Sequence, residues 1–347
     1  MNQSIKTGVV GYGYAASTFH IPLLCSNSGY NLTAISTSQP AKVRETFAHV
    51  NIYAAPDQLF AQTDIELVII PTPNDSHYPL ARQALLAGKH VVLDKPFTLT
   101  VAEADELIAL AEQQNRILSV FHNRRWDSDF LTLQRLIEDR QLGEISHFES
   151  HFDRYRPLVR DRWRENGGAG SGLWFDLGPH LLDQTLQLFG KPESIYLELA
   201  RQRSGAKADD WFHAILSYGT AKAILHGSAL VPAAGPRFIV HGSSVSFVKY
   251  GLDIQEDQLR KGMLPGNADW GLDPHPGCLT SIGNTGPQEH CVAAARGSYE
   301  TYYNRLHECI VSGAPNPVPA GEALWVMQLL EAGLASVRDQ CTQKIKL

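Results

Sequence analysis

The sequence predicts an α/β half followed by an α+β half, and three observations lead there. Up to about His122, short runs of β-branched and apolar residues alternate with stretches that repeat apolar residues at helical spacing. Beyond it the rhythm changes to helices and closely spaced strand runs of antiparallel type. The length, 347 residues, suits two domains at roughly 150 residues each. The expected division is therefore 1–122 and 123–347.

In the first half, strands are expected at Thr7–Val10, Leu32–Ile35, Glu66–Ile70, His90–Leu93 and Ile117–Phe121. Helices are expected at Tyr78–Ala87, where Leu80, Ala84 and Leu85 share a face, and at Val101–Gln114, where Leu107, Leu110 and Ala111 do. Gly88 follows the first of these, where a helix end needs a left-handed residue. Strand–helix repetition of this kind implies right-handed crossovers and a parallel sheet. Pro22 falls inside the expected first helix and should kink or end it, having no N–H to donate.

The second half opens with helices at Asp127–Ile137 and Gly172–Phe189. Strand runs follow at Ser194–Arg201, Asp210–Tyr218, Ala221–Ser228, Arg237–His241 and Ser246–Tyr250, with Gly219-Thr220 as a hairpin turn. Gly, Pro and Asn crowd the stretch from Leu259 to Gln288, which reads as a long surface loop. Two helices close the chain, at Tyr299–Val311 and Glu322–Arg338.

Composition narrows the function. Lys and Arg number 30 against 36 Asp and Glu, a net charge of −6. A nucleic-acid binder carries the opposite excess. No run approaches the ~18–20 apolar residues that span a bilayer, and MNQSIKTGVV lacks the apolar stretch of a signal peptide. The five scattered cysteines form no CxxC pair and no Cys/His metal spacing. The expectation is a soluble cytoplasmic protein with neither a nucleic-acid nor a membrane partner and no metal.

Chemistry begins at Gly11-Tyr12-Gly13-Tyr14-Ala15-Ala16, a G-x-G-x-x-A segment between a strand and a helix. The first glycine permits the tight turn, the second lets a pyrophosphate approach the backbone, and small Ala16 lets helix and strand pack closely. The helix N-terminus offers its N–H groups to phosphate. These features point to a dinucleotide. NAD enzymes place an acid about 20 residues further on for the ribose 2′-OH. Here the strand tip reads Ser36-Thr37-Ser38, whose hydroxyls suit a 2′-phosphate, so NADP(H) is expected over NAD(H). Lys42 and Arg44 lie nearby, either as further phosphate contacts or as solvated helix residues.

Pro71-Thr72-Pro73-Asn74 and Asp94-Lys95-Pro96 each follow a strand at the carboxyl edge of the sheet, where open α/β sheets bind ligands. Asn74 and Asp75 also read as caps for the next helix. In the second half, Asp176 and His180 are four apart and project from one helix face. They form either a proton-transfer pair or a capping Asp beside a hydrogen-bonded His.

Together, GYGYAA, PTPNDSHYPLARQALLAGKHVVLDKP, HNRRWD and GLWFDLGPHLLDQ resemble the glucose–fructose oxidoreductase / inositol dehydrogenase / MocA (Gfo/Idh/MocA) family of nicotinamide-dependent oxidoreductases, in order and over nearly the whole chain. The resemblance implies a Rossmann domain (1–122) and an α+β substrate-binding and oligomerisation domain (123–347) with a large, mostly antiparallel open sheet that often forms a dimer face. It places Lys95, Asp176 and His180 at the reacting carbon's oxygen, with Asp94 where the family usually has Glu. It puts Thr72, Asn74, His77 and Asn123 near the cofactor, and the Arg162-Trp163-Arg164 segment close to nicotinamide and substrate. The serine-bearing second strand and the Phe19-His20-Ile21-Pro22 segment are closest to NADP-dependent inositol or sugar dehydrogenases.

The expected activity is hydride transfer between NADP(H) and a secondary alcohol or ketone of a polyol, cyclitol or sugar. The cofactor carries the redox chemistry, His180 the proton, Asp176 orients His180, and Lys95 stabilises the developing alkoxide. The competing expectations are a non-catalytic NADP(H)-binding sensor and a reductase of a non-sugar carbonyl. A homodimer or higher homo-oligomer is expected through the second-half sheet, because Ala214–Tyr218 and Ala223–Leu225 are apolar for a solvated face.

Overall fold

The computed structural model describes residues 4–345, and its packing separates into two compact units. The first is built on six parallel strands: β1 (Ile5–Val10), β2 (Tyr30–Ser36), β3 (Asn51–Tyr53), β4 (Leu67–Ile70), β5 (His90–Leu93) and β6 (Leu118–Val120). Their spatial order is β3-β2-β1-β4-β5-β6, the doubly wound dinucleotide-binding order. Val9, Ile35, Val68, Ile69, Val91 and Val92 are wholly buried, as expected of a parallel sheet covered on both faces. β3 was not expected: it is three residues long, half-exposed at the sheet edge and begins at Asn51.

The helices of this stretch are α1 (Ile21–Cys25), α2 (Pro40–Thr46), α3 (Pro56–Phe60), α4 (His77–Leu86) and α5 (Val101–Gln113). The break at Pro22 takes the form of a π-turn over Ala16–His20, with the Ile21 N–H reaching back to the Ala16 carbonyl. The wider turn leaves room for the pyrrolidine ring, and α1 restarts with Pro22 at its second position. Gly88 stands at φ +74° after α4, and the Lys89 N–H closes on Ala84 O at 3.0 Å, the Schellman arrangement. A capping box opens α5: Thr100 Oγ1 accepts the Glu103 N–H, and the Glu103 carboxylate accepts the Thr100 N–H, both at 3.2 Å.

The second unit holds one nine-stranded sheet. Its strands are β7 (Ile145–Asp153), β8 (Ser194–Ala200), β9 (Trp211–Tyr218), β10 (Ala221–Ser228), β11 (Pro236–Gly242), β12 (Val245–Tyr250), β13 (Gly277–Gly283), β14 (Gly286–Val292) and β15 (Gln343–Lys344). The order is β14-β13-β12-β11-β7-β10-β9-β8-β15, antiparallel throughout except for the parallel pair β7–β10. Helices α6 (Ser128–Glu138) and α7 (Leu173–Phe189) belong to it, and α7 packs on β9 and β10. Ala214, Leu216, Ala223 and Leu225 are buried on that side, while Ile215 and Ile224 alternate to the opposite face. Half of each apolar run is thus explained by α7.

One correction concerns the later chain. The expected loop from Leu259 to Gln288 contains β13 and the start of β14, joined at Asn284-Thr285 between paired Gly283 and Gly286. Glycine and proline mark the turn and the strand ends there, and edge strands tolerate both. By packing, each compact unit gathers stretches that are separate in sequence. Residues 255–270, opening with α8 (Gln255–Arg260), and residues 298–327, with α9 (Glu300–Ser312), pack with the first unit. The division falls within α10 (Ala320–Asp339). No helix among the described residues is long and apolar enough to cross a membrane.

Candidate active site

In the first unit the strand ends of β1, β2, β4 and β5 meet at one edge. Gly11 takes φ +91°, and its N–H donates to Ser36 O at 2.7 Å, joining the glycine turn to the tip of β2. A Cβ at Gly13 would meet no atom within 4 Å. The backbone there is open to close approach, which suits a pyrophosphate. Ala16 is wholly buried. Tyr12 packs edge-on against Phe47, and Lys42 Nζ lies 5.5 Å from the Tyr12 ring centroid. Tyr14 Oη donates to Glu256 of α8 at 2.7 Å, so a segment far along the chain braces the glycine turn.

At the tip of β2, Ser36 and Thr37 are buried and Ser38 is exposed. Thr37 Oγ1 accepts the Gln39 N–H at 3.0 Å, which leaves its hydroxyl proton to donate. No carboxylate stands at these three positions.

The β4 and β5 loops are tied to each other. His77 is fully buried, with Nδ1 2.8 Å from Pro96 O and Nε2 3.0 Å from Thr72 O. Burial holds its pKa below the usual imidazole value despite the pull of Asp94. His77 thus spans the two loops that carry Pro71, Thr72 and Asn74 on one side and Lys95 on the other. Pro71, Asn74 and Asn123 are buried, while Thr72 and Lys95 are half-buried. Asp94 accepts the Lys95 N–H at 2.7 Å. Burial would raise the Asp94 carboxyl, but His20, Lys95 and His77 outweigh it and hold the pKa near 2. His20 Nε2 lies 4.0 Å from Asp94 Oδ2, and its Nδ1 lies 2.6 Å from Tyr303 Oη.

In the second unit, α7 carries Asp176 in its first turn and His180 one turn on. Gly172 precedes it at φ +92° and offers no capping side chain. Asp209 supplies the cap instead: its Oδ2 accepts the Trp174 N–H at 2.8 Å and its carbonyl the Leu173 N–H at 2.9 Å. Burial pushes the Asp209 carboxyl up to about 6. Trp174 is seated between two glycines, since a Cβ at Gly178 or Gly333 would lie 2.8 Å from its indole.

Arg164 Nε lies 3.4 Å from Asp176 Oδ1, and its guanidinium stacks 4.4 Å from the ring of half-buried Trp163. Around them lies a cleft lined by Arg154, Arg156, Arg162, Arg164 and Arg203 together with Glu165, Asp176 and Asp209. Buried Glu165 pairs with Arg162 at 2.5 Å and Arg203 at 2.9 Å, and Arg203 also pairs with Asp210 at 2.9 Å. His180 is buried. Asp209, the Arg203 network and His20 carry no spacing signal, because each acts on residues outside its own local segment.

The chain has matches among known proteins. Residues 5–122 match the Gfo/Idh/MocA model described as oxidoreductase family, NAD-binding Rossmann fold, and residues 134–347 the one described as oxidoreductase family, C-terminal alpha/beta domain. The oxidoreductase YdgJ of Escherichia coli is 51% identical over 99% of both chains. IolW of Bacillus subtilis, a scyllo-inositol 2-dehydrogenase (NADP(+)), is 41% identical over 98% of this chain and 95% of its own. The structure of an oxidoreductase from Yersinia pestis superposes with a TM-score of 0.96 at 47% identity, over 100% of this chain and 99% of that one.

Proposed function

Since the chain belongs to the Gfo/Idh/MocA family of oxidoreductases, we propose that it transfers hydride between NADP(H) and a secondary alcohol or ketone of a cyclitol, polyol or sugar. The observation that carries the reading is Asp176 of α7 lining the arginine-rich pocket, with His180 one turn on along the same helix, in a chain 41% identical to a scyllo-inositol dehydrogenase. The hydroxyl-bearing, acid-free tip of β2 supports NADP(H).

Gly11, Tyr12, Gly13 and Ala16 would hold the pyrophosphate side, Ser36, Thr37 and Ser38 the ribose 2′-phosphate, and Pro71, Thr72, Asn74, Asp94, Lys95, Asn123 and Trp163 the remainder, with His77 fixing the loops. The open backbone at Gly13 fits such a group. When bound, nicotinamide supplies the hydride acceptor or donor. His180 takes the proton of the reacting hydroxyl at its imidazole, and Asp176, itself held by Arg164, favours the imidazolium that results. Lys95 donates a hydrogen bond to the reacting oxygen and stabilises alkoxide charge.

Five arginines against three carboxylates around the pocket favour a second reading, in which the sugar carries a carboxylate or phosphate. One assay separates the two: initial rates with NADP⁺ and NAD⁺ over a panel of neutral cyclitols, neutral sugars, uronates and sugar phosphates. Turnover of no member with either cofactor would reject the dehydrogenase reading. The half-buried face of the nine-stranded sheet opposite α7 suits a homodimer contact, and light scattering that found a monomer at micromolar concentration would exclude it.

A further inference from the structure

On the sheet face opposite α7, three side chains bring metal-binding atoms together. His151 and Asp153 lie two apart on β7, and His226 on β10 pairs in register with His151. One donor atom from each falls within 4.8 Å of the other two. Asp153 uses both carboxylate oxygens: Oδ2 lies 3.6 Å from His151 Nδ1, and Oδ1 lies 3.5 Å from His226 Nε2. We propose that His151, Asp153 and His226 form a binding site for a divalent late transition ion, Zn²⁺ in the first instance.

The neighbouring groups support this. Glu149 Oε2 stands 2.8 Å from His151 Nε2 and accepts its N–H. His151 Nδ1, on the other side of the ring, faces Asp153. With metal–ligand bonds of about 2.0–2.2 Å, two ligands of a tetrahedral ion stand about 3.3–3.6 Å apart, and each histidine nitrogen stands at that distance from one Asp153 oxygen. Asp153 Oδ1 is buried and accepts no hydrogen bond among the described residues. Glu149 completes the carboxylate–histidine–metal relay that fixes the tautomer of a ligating imidazole. Two imidazoles and a carboxylate suit Zn²⁺ over Mg²⁺ or Ca²⁺, which prefer all-oxygen sites. A fourth position remains for water or another ligand.

The test is titration of the chelator-treated, tag-free protein with Zn²⁺ by calorimetry and with Co²⁺ by visible absorption. The expected result is one equivalent per chain and a tetrahedral Co²⁺ spectrum. His226→Ala and the near-isosteric Asp153→Asn should each lose that equivalent. Glu149→Gln should retain it with affinity weakened about 10–100-fold. Far-UV circular dichroism establishes that the variants are folded, and Asp153→Asn decides if His226→Ala is not. Exposed Cys25, Cys291 and Cys341 contribute equally to wild type and variants. No uptake by the wild type, or uptake unchanged in the folded variants, overturns the assignment.

Discussion

A Cβ at position 172 would lie 1.9 Å from Oδ1 of Asp209. The absence of a side chain at Gly172 is what lets Asp209 reach the first turn of α7 and accept the Trp174 N–H. The helix bearing Asp176 and His180 is therefore set in place by a glycine before it and by Asp209, an acid that comes well after the helix in the chain.

Gly172→Ala should destabilise the protein by about 1–3 kcal/mol, since alanine must adopt φ +92° and displace the Asp209 carboxylate. Thermal melting measures it. A variant as stable as wild type would show that the close approach is readily relaxed.

Asp209 also ties stability to pH. Its folded pKa, near 6, lies above the usual 3.8, so its contribution is present below the unfolded value and is lost as pH rises through 6. Asp209→Asn keeps an oxygen acceptor for the Trp174 N–H without the charge. The variant should match wild type near pH 4 and exceed it by roughly 1–2 kcal/mol above pH 7. A gap of the opposite sign in chemical denaturation across that range would refute the account.

His180→Ala should lower kcat by about 10²–10⁴-fold, the contribution of one positioned acid/base, while cofactor affinity is preserved. Lys95→Ala should also lower kcat. Near-wild-type turnover by both variants on the best substrate would remove them from the chemistry.

Ser36→Asp places a carboxylate at the strand tip that bonds to Gly11. One or two charge-assisted hydrogen bonds to a 2′-phosphate, at roughly 1.5–3 kcal/mol each, imply an NADP preference of about ten- to several-hundredfold. The substitution should erode or reverse it. The ratio of kcat/KM for the two cofactors is the measurement, and a wild-type preference for NAD would contradict the reading.

Arg237 is buried among Asp129 at 3.2 Å, Gln184 at 2.7 Å and Ser150, joining α6, α7 and β7. Arg237→Met leaves the Asp129 carboxylate in the interior and should cost about 3–5 kcal/mol. Adding Asp129→Asn should recover part of the loss. Equal denaturation midpoints for the wild type and Arg237→Met would show the pair to be dispensable.

What the sequence made legible was local. The G-x-G-x-x-A turn, the helix with Asp176 and His180, and Gly88 all express themselves within a few residues, because a turn or a helix face is set by near neighbours. The return of residues 255–270 to the first unit is encoded in contacts such as Tyr14 with Glu256, which no periodicity reveals. β13 and β14 were hidden because their side chains are largely half-buried or exposed, with no alternating apolar face, and they carry glycines and a proline that elsewhere signal loop. His151 and His226 lie far apart in sequence, and only the parallel pairing of β7 with β10 sets them side by side.

That parallel pair also bears on how the second unit assembles. β9–β10, β11–β12 and β13–β14 are hairpins whose partners are close in sequence, and such contacts form early because little chain entropy is spent on closing them. β7 is bordered by β10 and β11, each reached only after a long excursion of chain. Its docking between finished hairpins is the high-contact-order step, and it should govern the refolding rate. Until β7 is seated, the two sides of the sheet are separate ribbons with exposed edges, and that interval is when the chain is most open to pairing with a copy of itself.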